Sequence, residues 1–428
     1  MKEEIREARF DNGLVVLTDR MVGVRSATLG FFFRVGARHE PTELNGITHF
    51  VEHCVFKGSI KRNAREIAAE QDRLGGNLDA FTTHEETGFI LKVVDDRFDY
   101  AFDLLADMTG RPRFDEADLA SERRVIVEEM KMNEDSPEEV ISDIFHREFF
   151  PGDPLGLTIT GTPETVASFN HHVTADFHRQ AFSPANLVIA AAGNVDHEHL
   201  LELVRSSSFG LPIAEESTLK RELQTPAMAA PFVIEQRPDL EQAHLFIATP
   251  AVNARNPRRY AADLLANILG GGTSSRLWQR VREERGLAYS VGASTAMFHD
   301  TGFMAVSAAT SPDQLREVAE IVIDELASIV REGVTHEELA LMKDQTRASI
   351  LLGLEDSAGR AGTLAQCEMV HGRQIPVEET LANLEAVTAD EIQQQARDFF
   401  SPGQIALVAL GDLEDAVFTR EDLGIGSK

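Results

Sequence analysis

One pattern occurs twice in this chain, and it constrains the fold more than any other feature. Val173-Thr174-Ala175-Asp176 leads into Phe182-Ser183-Pro184, then the apolar run LVIAAAG, then Asn194-Val195-Asp196. Near the C-terminus, Val387-Thr388-Ala389-Asp390 leads into Phe400-Ser401-Pro402, then IALVALG, then Asp412-Leu413. Each copy reads as a helix, a proline turn, a buried strand and a glycine stop. The parts before them correspond more loosely. LGFFFRVGARHEP, a strand and loop, precedes the segment GITHFVEHCVF, and HLFIATPAVNARNP precedes RRYAADLLANILGG. A repeat of this length predicts two homologous domains, residues 1–212 and 232–428. The stretch 213–231 has no sustained period, ends in proline-flanked small residues and reads as the linker. Strands interspersed with long helices predict α+β domains, each an antiparallel-rich sheet covered by helices.

The chain has 428 residues, 43% of them hydrophobic, which is enough apolar material for two full-sized cores. The formal net charge of -29 argues against nucleic-acid binding, which needs a basic footprint, and against an anionic membrane surface. The two cysteines, Cys54 and Cys367, make no disulfide framework and fit a reducing compartment. The N-terminal MKEEIREARF carries acidic residues and no continuous apolar segment, and no run of the length a membrane span needs occurs. These features predict a soluble, cytoplasmic protein with neither nucleic acid nor membrane as a partner.

Residues 46–57 read GITHFVEHCVFK. Ile47, Phe50, Val51, Cys54 and Val55 follow the i, i+3, i+4, i+7, i+8 spacing of an amphipathic helix and fill an arc of about 140°. His49, Glu52 and His53 fall on the other side. Two histidines at i and i+4 reach a single ion, and Glu52 points towards the same region, where it is free to act as a base. Cys54 lies on the apolar face and is read as a small core residue.

A catalytic zinc needs three protein ligands and an open position. The segment 115–135 supplies the best candidate for the third. On a helix, Leu119, Ile126 and Met130 make its apolar stripe, Glu122 and Glu129 lie together on the edge of that stripe, and Glu128 points to solvent. A carboxylate at the edge of a buried face needs a partner, because an unpaired buried charge is costly. Glu129 is therefore favoured over Glu128 on geometry.

His49-Phe50-Val51-Glu52-His53, with Glu129 at a distance of 76 residues from His53, resembles the inverzincins of the pitrilysin (M16) family. The resemblance covers nearly the whole chain and is greatest to short, processing-peptidase-like members (M16B), which are built as a duplication of the LuxS/MPP-like metallohydrolase type. It implies one Zn2+ per chain on His49, His53 and Glu129, water activation by Glu52, and support of the site by Glu122. Residues 75–87, GGNLDAFTTHEET, resemble the family's edge strand for substrate backbone, which here spans Asp79, Ala80, Phe81 and Thr82; many members carry Asn where this chain has Asp79. GGGTSSRLWQRVREERGLAYS, read from its residues as a charged helix and a strand, resembles the segment bearing the family's Arg/Tyr pair, here Arg282 and Tyr289. The equivalent of the metal helix in the second half, AADLLANIL, carries no histidine, as the family's asymmetry requires.

The implied activity is zinc-dependent endoproteolysis of short or unfolded peptides in a clamshell chamber. Glu52 would serve as general base, Tyr289 would help to stabilise the developing charge and Arg282 would anchor a substrate carbonyl, with the protein expected as a homodimer. Two other readings compete: a non-catalytic scaffold related to this family, which should purify without stoichiometric zinc, and one subunit of a heterodimeric peptidase, which would be inactive alone.

Overall fold

The computed structural model describes residues 4–212, 219, 223–401, 403–413 and 419–423. Pro402 of the second proline turn and residues 213–218 and 220–222 of the expected linker lie outside the described residues; residues 223–231 carry no helix or strand. Eleven strands are described: β1 (Ile5–Arg9), β2 (Val15–Arg20), β3 (Ser26–Phe33), β4 (Asn77–Thr82), β5 (Thr87–Val94), β6 (Leu187–Gly193), β7 (Phe232–Gln236), β8 (Ala243–Pro250), β9 (Ala288–Met297), β10 (Gly302–Thr310) and β11 (Ala406–Gly411). The α-helices are α1 (Ile47–Cys54), α2 (Ala64–Leu74), α3 (Phe98–Gly110), α4 (Glu116–Glu134), α5 (Pro137–Phe149), α6 (Pro163–Ser168), α7 (His171–Ala181), α8 (His197–Ser206), α9 (Arg259–Gly270), α10 (Leu315–Glu332), α11 (His336–Gly353), α12 (Ser357–His371), α13 (Val377–Ala386) and α14 (Ala389–Phe399).

The strands form two sheets, ordered β1-β2-β6-β3-β5-β4 and β7-β11-β8-β10-β9. The apolar runs of the repeated sequence, β6 and β11, hold equivalent places. Each lies between a parallel neighbour, β2 or β7, and an antiparallel one, β3 or β8. All other pairings are antiparallel. The expected α+β duplication is thus the architecture, with β1 an addition to the first sheet.

Packing divides the chain into two units. The first comprises Met1–Lys131, Leu157–Gln224 and Ile350–Pro376, and the second Met132–Gly156, Thr225–Ser349 and Val377–Lys428. The linear division at 1–212 and 232–428 therefore misses two segments: α5 packs in the second unit and α12 in the first. The reason is burial on both faces. In β3, Phe31 and Phe33 point into a core shared with α1, α3, α4, α7 and α8, while Phe32 points to the opposite face. That face, with Val15, Leu17, Val188 and Ala190, is closed by Leu364, Ala365 and Met369 of α12. A sheet covered on both sides reads as continuous apolar runs instead of alternation, which is how β2, β3 and β6 read.

Polar links fix α12 in place. Arg360 and Asp19 form an ion pair whose side chains are 2% and 3% exposed. Arg9 and Arg34 both reach the buried Glu368, at 2.8 and 3.1 Å. In the second unit, Ile141, Ile144, Phe145 and Phe149 of α5 cover Ala248, Phe303, Ala305, Val408 and Leu410 in the same manner.

Candidate metal centre

The geometry of α1 is set before its first residue. Gly46, its N-cap, has φ 93°, and a Cβ there would stand 2.5 Å from the Thr160 carbonyl oxygen, so the position demands glycine. The Glu40 carboxylate accepts the N–H groups of Gly46 and Thr48, each at 2.7 Å, and so satisfies donors that the helix start leaves open. Ile47, Phe50, Val51 and Cys54 enter the core, as their spacing predicts. The other side is not solvated: His49 and Glu52 are each only 8% exposed. The helix ends at Cys54, so Lys57 lies in the turn beyond it.

On α4, Leu119, Ile126 and Met130 are buried, and Glu122 is buried among them. Glu128 is solvent-exposed and pairs with Lys131 at 2.7 Å. Glu129 is partly covered, and its carboxylate oxygens stand 3.6 Å from His49 Nε2 and 3.5 Å from His53 Nε2. One ligand atom from each of His49, His53 and Glu129 lies within 4.8 Å of the others, the only such group of three His, Cys, Asp or Glu among the described residues. Ligand atoms about 2.0–2.1 Å from a tetrahedral zinc stand about 3.4 Å apart. The donor set and its spacing therefore fit zinc.

The groups behind these ligands set their protonation. His53 Nδ1 faces Glu122 at 3.4 Å, and Lys57 Nζ approaches the same carboxylate at 2.8 Å. A proton held on Nδ1 leaves the Nε2 lone pair for a metal. Burial raises the Glu122 pKa, but the hydrogen bonds of His53 and Lys57 outweigh it and hold the carboxylate below its ordinary value. For His53, burial disfavours the charged ring, yet Glu122, Glu52 and Glu129 together hold its pKa above the ordinary value. A bound cation would replace that proton. Burial, with the adjacent His53, lowers His49 to about 3, so it is neutral and competent to ligate. Burial pushes the Glu52 carboxyl up, against the hydrogen bond donated by Thr82 Oγ1 at 2.8 Å. Cys54 is buried, and burial pushes its thiol up, away from a ligating thiolate.

Thr82 closes β4, which carries Asp79, Ala80, Phe81 and Thr82 opposite Ile90, Phe89, Gly88 and Thr87 of β5. β4 is the last strand of its sheet, so its outer backbone edge has no partner strand among the described residues. Arg282 and Tyr289 belong to the second unit. Arg282 lies on the expected charged helix, which over Trp278–Glu283 is a π-helical turn, and Tyr289 lies on the edge strand β9. The guanidinium sits 4.6 Å over the Tyr289 ring, and its Nη1 donates to the Tyr289 carbonyl at 3.0 Å. Lys57 was not singled out by sequence reasoning. The signal was available, since it follows His53 by four residues.

A helix presenting two imidazoles and a buried carboxylate, met by a carboxylate from a second helix, defines a candidate mononuclear metal centre of the hydrolase type. Comparison with known proteins agrees. Residues 15–163 match the insulinase (peptidase family M16) profile, and residues 168–346 match the peptidase M16 inactive domain. An uncharacterized zinc protease of Streptomyces coelicolor is 36% identical over 97% of this chain and 91% of its own length. The uncharacterized zinc protease YmxG of Bacillus subtilis is 34% identical over 93% and 96%. A crystal structure of a protease from Helicobacter pylori superposes with a TM-score of 0.90 at 20% identity, covering 96% of this chain and all of that one. A chain of complex III2 from Candida albicans superposes at 0.83, with 19% identity and coverage of 98% and 99%. The chain belongs to peptidase family M16.

Proposed function

We propose that this chain is a zinc endopeptidase of the short, processing-peptidase-like subfamily, acting on short or unfolded peptides in an enclosed chamber. The observation that carries the reading is the convergence of His49 and His53 from α1 with Glu129 from α4, with the buried Glu52 carboxylate on the same helix. The zinc-protease names of the relatives support it.

His49, His53 and Glu129 would hold the zinc ion, which when bound would supply Lewis acidity at the scissile bond. Glu52 takes the proton of the attacking water and passes it to the leaving amine. Burial raises its pKa above the ordinary carboxylate value, which favours its acting as an acid once it has taken a proton as a base. Glu122 holds His53 in the ligating tautomer, and Lys57 keeps Glu122 ionised. β4, the last strand of its sheet, takes up the peptide as an added strand along Asp79, Ala80, Phe81 and Thr82, a mode that tolerates many sequences. Arg282 anchors a substrate carbonyl, and Tyr289 donates to the developing oxyanion.

The reading extends to a homodimer in a reducing, cytoplasmic compartment. The two cysteines, neither of them in a disulfide, support the compartment, and among the described residues no helix is long and apolar enough to cross a membrane. Glu52→Gln tests the mechanism. Its zinc content should match the wild type while peptide cleavage falls at least a thousandfold, about the scale of a lost general base with its proton relay. Unchanged turnover would remove Glu52 from the reaction.

A further inference from the structure

The chain has a single tryptophan, Trp278, and its indole ring lies 4.1 Å from the Arg282 guanidinium, which Tyr289 faces at 4.6 Å. The arginine is thus held by two aromatic rings. The indole is itself fixed, because its Nε1–H donates to the Glu283 carboxylate at 3.1 Å. The π-helical turn makes this arrangement available. In an α-helix, residue i+5 is rotated by about 140° from residue i and faces away from it. In a π-helix the i→i+5 bond brings residue i+5 back over residue i, and such turns recur at functional sites. Within Trp278–Glu283, residue 278 therefore meets both 282 and 283, taking its stacking partner from one and its hydrogen-bond acceptor from the other.

We propose that Trp278 is a positioning residue for substrate binding: it orders the Arg282 guanidinium in advance for a peptide carbonyl. The inference rests on the substrate-binding role of Arg282 given above. Nη1 is committed to the Tyr289 carbonyl, whereas the donors on Nε and Nη2 have no protein partner among the described residues. A free arginine side chain loses rotamer freedom when it captures a ligand, and that loss weakens binding. Stacking between Trp278 and Tyr289 removes it before the peptide arrives, and the planar fork stays oriented. The consequence falls on KM more than on kcat, because the effect is on a binding contact and not on proton transfer.

The test uses the full-length, zinc-loaded protein and a fluorogenic peptide, together with tryptophan emission of the metal-free protein. Trp278→Ala should raise KM about tenfold and leave kcat within about twofold. Trp278→Phe, which keeps a stacking face, should restore most of the loss, and in an Arg282→Ala background Trp278→Ala should add nothing further. Arg282→Ala should shift the emission of the lone tryptophan to the red, independently of catalysis, as the indole loses its cover. A wild-type KM for Trp278→Ala beside a raised KM for Arg282→Ala would overturn the inference and leave the role of Arg282 intact. So would a Trp278→Ala effect that persists at full size when Arg282 is already absent. A wild-type KM for Arg282→Ala would instead remove Arg282 from substrate binding, and the inference with it.

Discussion

The Thr82 hydroxyl donates to Oε2 of Glu52 at 2.8 Å, joining the last residue of an edge strand to the carboxylate between the two histidines. This bond opposes the burial that raises the Glu52 pKa. Thr82→Val keeps the side-chain shape and removes the donor, so the Glu52 pKa should rise further. The acid limb of the kcat/KM profile should then move to higher pH. On that limb the variant should be about tenfold slower than the wild type, with a smaller deficit on the plateau above it. Parallel profiles for the two proteins would show that the bond does not act on the base.

Lys57 and His53 share the Glu122 carboxylate, which is itself buried. Without Lys57, the carboxylate loses the ammonium that favours its ionised form, and its hold on the His53 ring weakens. Lys57→Ala should lower zinc affinity by about tenfold or more, the usual scale for groups that orient a ligand. Competition with a chromogenic chelator measures it. Affinity equal to that of the wild type would confine Lys57 to packing.

His178 gives the first unit a dependence on pH that is separate from the metal. Its ring is buried on α7, stacks on Phe182 and makes a 2.7 Å hydrogen bond with the Thr109 carbonyl; burial lowers its pKa from 6.5 to about 4. Between these values the unfolded chain takes up a proton that the folded chain refuses. Stability is therefore complete above pH 6.5 and declines as pH falls towards 4, by at most about 3 kcal/mol from this group. Urea unfolding of the chelated protein should show that decline, and His178→Gln should flatten it. The same slope in both proteins would assign the effect to other groups.

What the sequence discloses follows from the range of each interaction. The two imidazoles share one turn of one helix, so the spacing of His49 and His53 places them together. The stripe Leu119, Ile126, Met130 likewise orients α4, leaving Glu128 outward and Glu129 at the edge of the buried face. The duplication is legible because both copies keep the same helix, proline turn and strand. The exchange of α5 and α12 is not, because it depends on contacts such as Arg360 with Asp19, 341 residues apart, which leave no periodicity in the chain. The burial of the polar side of α1 is hidden as well. The spacing places its histidines opposite the apolar stripe, and only the fold shows α4 and β4 closing over them. Residues 276–289 read as a charged helix leading into a strand, and only the folded chain shows the π turn that gathers Trp278, Arg282 and Glu283.

The central claim is that His49, His53 and Glu129 hold one zinc ion. Metal analysis after exhaustive dialysis tests it most directly, on the wild type, His49→Ala and Glu129→Ala, with folding checked by circular dichroism. The account predicts about one zinc per wild-type chain and almost none in either folded variant. Stoichiometric zinc in Glu129→Ala, or a wild type that binds no zinc when it is supplied, would contradict it.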